Sequence, residues 1–269
     1  MTASLSWPLS LMLTSLPHEF VKAVRVAANL GFTHVDPVAL VERPATHLEA
    51  LAESSVVVGC TPLGRDMPEG VALDANDVGR RRDAVDHVRR QIIDAARLGA
   101  TCAYVVPQTR TEPRALAYFA EGCGLLAEFA ARRMVRLCVE PVPGRAIAHA
   151  GQMLDWLRQF GDDGPGLLLD VGHCLISGED AAAVVRRSGR RLGYVHLDDN
   201  DGKGDLHWPL LTGRLTERPL HDVAAALREV EYRGALSLEL NAQSPALVDA
   251  LTTSKAIVER CFANPAACS

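Results

Sequence analysis

Glu140, Asp170, His196 and Glu239 each stand at the end of a short apolar run, in RLCVE, GLLLD, LGYVH and ALSLE. Such runs read as buried parallel strands, which places each of these side chains at a strand's carboxyl end. Three carboxylates and one imidazole that converge would hold a divalent ion accepting oxygen and nitrogen ligands, Mn, Mg, Co or Zn, with no thiolate to demand a softer metal. One charged residue after a strand is ordinarily a loop residue or a helix cap. Four strands that end alike point instead to a shared site. Three more polar residues fall nearby. His173 lies three positions past Asp170, and the loop DDNDGKGDLHWPLLTG after His196 carries Asp205 and His207 two apart. In extended chain that spacing sends both side chains to one side, where they would grip one ion or one substrate together.

The elements that must position these residues alternate in type. An opening strand at about Leu9 to Leu13 precedes a helix in HEFVKAVRVAANLG, closed by Gly31. THVDPVA is the second strand, Thr46 to Ala52 a short helix, and SVVVGC the third strand. An amphipathic helix spans Asn76 to Gly99, capped by Asn76 or Asp77, with Val85, Val88, Ile92 and Leu98 on its apolar face. TCAYVVP is strand four, and the second half continues as a Pro113 to Arg133 helix, RLCVEPV, an Ala148 to Phe160 helix, GLLLDVG, and a Glu179 to Ser188 helix. LGYVHLD, a Pro219 to Val230 helix, ALSLEL and a Pro245 to Cys261 helix complete the count of eight strands and eight helices. Strict alternation requires parallel strands with right-handed crossovers, and eight units close as a (β/α)8 TIM barrel, an α/β fold. The rival doubly wound sheet would announce itself with a phosphate loop, and no GxGxxG or Walker sequence follows strand one. In a barrel all strand ends open on one face, so the four candidates meet around half of its mouth without being close in sequence.

Bulk properties agree with one domain over residues 1–269: 48% of residues are apolar, 23% are charged, and no linker or low-complexity tract interrupts the pattern. LSWPLSLMLTSL holds a proline and lacks a preceding basic segment, so neither a signal peptide nor a membrane span is expected, and a cytoplasmic location follows by default. The seven cysteines, at 60, 102, 123, 138, 174, 261 and 268, form no CxxC pair and no disulfide framework is expected. Those in apolar runs, Cys102 and Cys138, read as small core residues. A net charge of −5 offers no general reason to bind nucleic acid. The basic stretch GRRRDAVDHVRR reads as a solvated helix face with Asp83 and Asp86 as partners. Asp36 is read as a turn residue or one that orients substrate.

CVEP, LLLDVGH, YVHLDDNDGKGDLHWPLLTG and LSLEL, over about Arg136 to Leu240, resemble the xylose isomerase-like TIM barrels, which include sugar and sugar phosphate isomerases and epimerases and the endonuclease IV group. The resemblance implies a metal held by Glu140, Asp170, His196 and Glu239, with Glu140 and Glu239 also acting as acid and base and His173 facing substrate oxygen. In endonuclease IV relatives the equivalents of His173, Asp205 and His207 hold a further zinc, and histidines from the early strands complete the cluster. Here those early strand ends, VVVGCTPLG and YVVPQT, offer Cys60, Thr61 and Gln108 instead. The expected function is therefore a divalent-metal-dependent isomerase or epimerase that works on a sugar, sugar phosphate or polyol-derived ketone through an enediolate. The alternatives are an abasic-site nuclease, a dehydratase, or a metal-binding barrel without turnover. Trp208 is a candidate platform for a sugar ring, Lys203 and Arg214 are candidates for a sugar phosphate, and Gln108 lies on the far side of the mouth. A homo-oligomer is compatible with the sequence, which marks no interface.

Overall fold

The computed structural model describes residues 7–244 and 246–263. Its strands are β1 (Leu9–Met12), β2 (His34–Asp36), β3 (Val57–Val58), β4 (Cys60–Pro62), β5 (Cys102–Val105), β6 (Arg136–Val139), β7 (Gly166–Asp170), β8 (Leu192–Leu197) and β9 (Leu236–Leu238). The helices are α1 (Phe20–Asn29), α2 (Ala45–Ala52), α3 (Val78–Arg97), α4 (Pro113–Ala131), α5 (Ala150–Leu157), α6 (Val171–Ser177), α7 (Ala181–Ser188), α8 (Glu217–Glu229) and α9 (Leu247–Cys261). All strand pairings are parallel, in the order β3-β2-β1-β9-β8-β7-β6-β5-β4. This is the TIM barrel expected from the alternation.

The ninth strand label has a local cause. β3 and β4 are one chain run interrupted at Gly59, and they form the two ends of the strand order. The Gly59 N–H donates to the Val35 carbonyl at 3.1 Å, and its own carbonyl accepts from the Cys102 N–H at 3.3 Å, so the ring closes through this residue. A side chain would not fit there. A Cβ on Gly59 would lie 2.6 Å from the Tyr194 hydroxyl and 3.0 Å from Asp36 Oδ1. Asp36 accepts hydrogen bonds from Ser10 Oγ (2.7 Å), Tyr194 OH (2.8 Å) and the Cys60 N–H (2.9 Å) inside the barrel. The reading of Asp36 as a turn or substrate residue is therefore corrected. It is a fully buried acceptor tying β1, β2, β4 and β8 together.

The strands are short and apolar because both faces are covered: GLLLD of β7 is buried throughout. Outside the sheet, Val85, Val88 and Ile92 of α3 join the main core, whereas Leu98 is only partly buried. Inside it, Met12, Cys60, Tyr104, Leu168 and Tyr194 fill the barrel with Cys102 and Cys138, whose sulfurs lie 3.6 Å apart. The six described cysteines are buried and free, and Cys268 lies outside the described residues. Of the two caps expected for α3, Asp77 is the one used, accepting from the Arg80 N–H. Arg89 of the basic stretch pairs with Asp86 at 3.2 Å. Several helices are shorter than their sequence patterns, and the last starts at Leu247, since Pro245 lies outside the described residues. One helix was not anticipated. α6 starts directly after Asp170, and the run DVGHCLIS continues the apolar pattern of β7 with no break in composition to mark the change.

Candidate metal centre and active-site cavity

Glu140 follows β6, Asp170 ends β7, His196 lies within β8 and Glu239 follows β9. Four adjacent parallel strands thus deliver them to one end of the barrel, with Asp170 and His196 in direct register. One ligand atom from each lies within 4.8 Å of every other. His196 Nδ1 is 2.8 Å from Glu239 Oε2, 3.5 Å from Glu140 Oε1 and 3.9 Å from Asp170 Oδ2. Glu140, Asp170 and His196 are buried, and the Glu239 side chain is 14% exposed. Despite this crowding, Asp170 Oδ2 and both ring nitrogens of His196 have no aligned hydrogen-bond partner. Each such orphan costs about 1–3 kcal/mol, and a cation drawing on oxygen and nitrogen donors would satisfy them together. Without one, a proton does part of the work. Burial opposes charge on His196, but Glu239 and Glu140 hold its pKa well above the usual imidazole value. Burial likewise opposes charge on Glu239, which the His196 ring holds low.

Asp170 has two tasks. As N-cap of α6 it accepts the His173 N–H through Oδ1 at 2.9 Å, which fixes the carboxylate and leaves Oδ2 for the cluster. The same first turn lifts His173 towards the mouth. Its Nδ1 donates to the Pro141 carbonyl at 3.1 Å, so in a neutral ring Nε2 would be a lone pair, yet Nε2 lies 3.2 Å from Asp205 Oδ1. A lone pair facing a carboxylate needs a proton or a metal between them. His207 repeats the situation, with Nε2 3.1 Å from Asp205 Oδ1 and Nδ1 2.7 Å from Asp198 Oδ2. Ligand atoms of His173, Asp205 and His207 lie within 4.8 Å of one another. Burial opposes the charge on His173, but Asp170 and Asp205 bring its pKa up to about 10, and the two rings hold Asp205 well below the carboxylate range despite its own burial. His207 reaches this position with a left-handed backbone, φ 47°.

Both clusters open into a cavity of about 410 Å³, within the size range of small-molecule sites. Gln108 lines it, but Trp208 and Lys203 do not. Trp208, 37% exposed, covers a separate depression beside Asn241 and Gln243, because its backbone pairs with Asp199 and turns the ring away. Lys203 is exposed on a turn organised by Asp201, and Arg214 packs along Gly202. Three residues escaped the sequence reading. Asp198 is buried against His207, whereas its neighbour Asp199 ties the loop through the N–H groups of Gly213 and Leu215. Arg65 and Arg145, each in a GR pair a few residues past a strand, line the cavity wall. Their proximity to a strand's carboxyl end was the signal available.

A D-psicose 3-epimerase of Agrobacterium fabrum is 25% identical over 126 residues, 44% of this chain and 39% of that protein. A D-psicose 3-epimerase of Enterocloster bolteae is 28% identical over 92 residues, 33% of this chain and 27% of that protein. The chain therefore aligns with less than half the length of either relative. A crystal structure of D-psicose 3-epimerase in the presence of D-fructose superimposes with a TM-score of 0.79 at 17% identity, covering 96% of this chain and 100% of that one, a likeness of fold. No helix among the described residues is long and apolar enough to cross a membrane. The family model for the xylose isomerase-like TIM barrel matches residues 24–259, and the chain belongs to that family.

Proposed function

We propose that this protein is a divalent-metal-dependent isomerase or epimerase that moves a proton on a carbon beside the carbonyl of a sugar, sugar phosphate or polyol-derived ketone. The observation that carries the reading is the buried cluster of Glu140, Asp170, His196 and Glu239 with its unpartnered polar atoms. Its similarity to sugar epimerases over part of their length supports the same reading. The four side chains would hold the ion, and the chemistry it supplies when bound is Lewis-acid polarisation of the substrate carbonyl. Glu140 and Glu239 come from strands separated by β7 and β8, so they approach the cavity from different sides. One carboxylate removes the proton and the other, in its protonated form, delivers one to the opposite face of the same carbon, which inverts it; delivery to the neighbouring carbon, with a proton passed between the two substrate oxygens, shifts the carbonyl instead. His173, Asp205 and His207 also line the cavity, so that group lies beside the substrate.

A second ion at His173, Asp205 and His207 is part of the proposal, on the ground that each ring turns a nitrogen to the shared Asp205 oxygen. Abasic-site cleavage is the weaker reading, since among the described residues the early-strand side of the cavity contributes Gln108 and arginine but no histidine. The test is metal analysis combined with a panel of ketoses and aldoses. The wild type should bind at least one divalent ion per chain and convert a sugar, and Glu239→Gln should lose conversion while keeping metal. A wild type that converts no sugar but cleaves abasic DNA would overturn the reading.

A further inference from the structure

The rest of the cavity lining has a different chemistry. Leu63, Met67, Leu73, Val105, Phe119 and Val142 make it largely apolar, and its long polar side chains are Arg65, Gln108 and Arg145. A neutral sugar carries a hydroxyl on nearly every carbon, each needing an acceptor as well as a donor. Two guanidiniums supply donors alone, so this wall is matched to a group that only accepts. Neither guanidinium has a carboxylate within 4.0 Å among the described residues, and the Tyr104 hydroxyl is the hydrogen-bonding neighbour of Arg65. Arg65 and Arg145 are both exposed residues, and on Arg65 the neighbouring Tyr104, Glu239 and Glu140 keep the guanidinium firmly protonated against partial desolvation. When the two glutamates are shared with a cation, their hold on Arg65 weakens, and its charge is left for a ligand. The positively charged side chains that sequence favoured for a phosphate, Lys203 and Arg214, lie outside this cavity.

We propose that the substrate is an anionic ketose, bearing a carboxylate or phosphate at the end remote from the reacting carbon, and that Arg65 and Arg145 bind that anion. The assignment rests on the isomerase reading and narrows its substrate class. The planar fork of each guanidinium suits a carboxylate or phosphate, and both arginines are exposed residues that an entering anion can reach. Gln108 completes the recognition with its amide donors.

The test is calorimetric binding to the full chain loaded with Mn, using three ketoses that differ only at carbon six: D-fructose, D-fructose 6-phosphate and D-fructuronate. At least one anion should bind about tenfold or more tighter than D-fructose. In the double variant Arg65→Gln/Arg145→Gln that ratio should fall to near one, which separates guanidinium recognition from direct attraction to the metal. Preference for the uronate alone assigns a carboxylate, and preference for the phosphate ester alone assigns a phosphate. D-fructose binding as tightly as both anions, failure of both anions to bind, or a full preference retained in the double variant would each overturn the proposal. The isomerase reading fails separately, if no bound ketose exchanges a carbon-bound proton with solvent, because binding is read without turnover.

Discussion

Alanine at Gly172 should destabilise the protein although Gly172 lies inside a helix, where glycine to alanine ordinarily gains about 1 kcal/mol. A Cβ at this position would overlap Asp198 Oδ1 and lie 2.7 Å from Asp198 Cγ and 3.1 Å from Asn200 Nδ2. Asp198 cannot step aside cheaply, since it is buried and set 2.7 Å from His207 Nδ1, and Asn200 donates to the Gly172 carbonyl at 2.8 Å. Overpacking of this kind costs about 1–3 kcal/mol. Separating a buried carboxylate from its imidazole costs about 3–5 kcal/mol, discounted here because His207 is 24% exposed and its loop can yield. Set against the helix gain, the net loss is about 2–4 kcal/mol, which for a chain of this size lowers Tm by roughly 5–15 °C. Gly124→Ala in α4 is the control, because its Cβ would make only ordinary contact with Phe160 at 3.7 Å and should stabilise by up to about 1 kcal/mol. Differential scanning calorimetry of both variants decides the matter. A Gly172→Ala protein that melts at or above wild type would refute the packing argument and, with it, the role given to Asp198 in aiming His207.

Arg43→Ala should cost about 3–5 kcal/mol in urea unfolding, since it strands Asp94, which is 6% exposed and accepts from Arg43 Nε at 2.8 Å and from the Leu40 N–H at 2.8 Å. The apolar pair Arg43→Met/Asp94→Leu should recover most of that loss, and equal losses would argue against a stranded charge. Metal affinity should rise with pH. His196 and His173 hold raised pKa values in the metal-free chain, and a ligating imidazole must be neutral, so each ion bound below those values displaces protons. The apparent Kd should fall about tenfold per pH unit for each proton displaced, over about pH 6 to pH 8. A flat profile by calorimetry would contradict the assignment of His196 as a ligand.

The barrel and its metal candidates were legible because each depends on local chemistry. A buried strand must be apolar, so a Glu, Asp or His that ends such a run stands out in RLCVE, GLLLD, LGYVH and ALSLE without knowledge of neighbours. What was missed depends on long-range geometry. The break at Gly59 answers the Tyr194 hydroxyl, 135 positions away in the chain. Asp36 resembles a turn residue beside Pro37, yet its carboxylate points into the barrel because successive strand residues alternate faces. In DDNDGKGD the acidic residues look alike, but Asp198 aims a histidine, Asp199 anchors the loop and Asp201 makes a turn. Arg65 and Arg145 sit in loops whose course no short-range pattern encodes, and Trp208 was misplaced for the same reason.

The central claim is that Glu140 and Glu239 move a proton on a carbon beside a carbonyl. The direct measurement is incubation of the metal-loaded protein with ketoses in deuterium oxide, followed by NMR of the recovered sugar. The account predicts deuterium at the carbon adjacent to the carbonyl with wild type, and its loss in Glu140→Gln and Glu239→Gln proteins that still hold metal. Conversion of a ketose without any deuterium entering that carbon, or undiminished exchange in both variants, would contradict it.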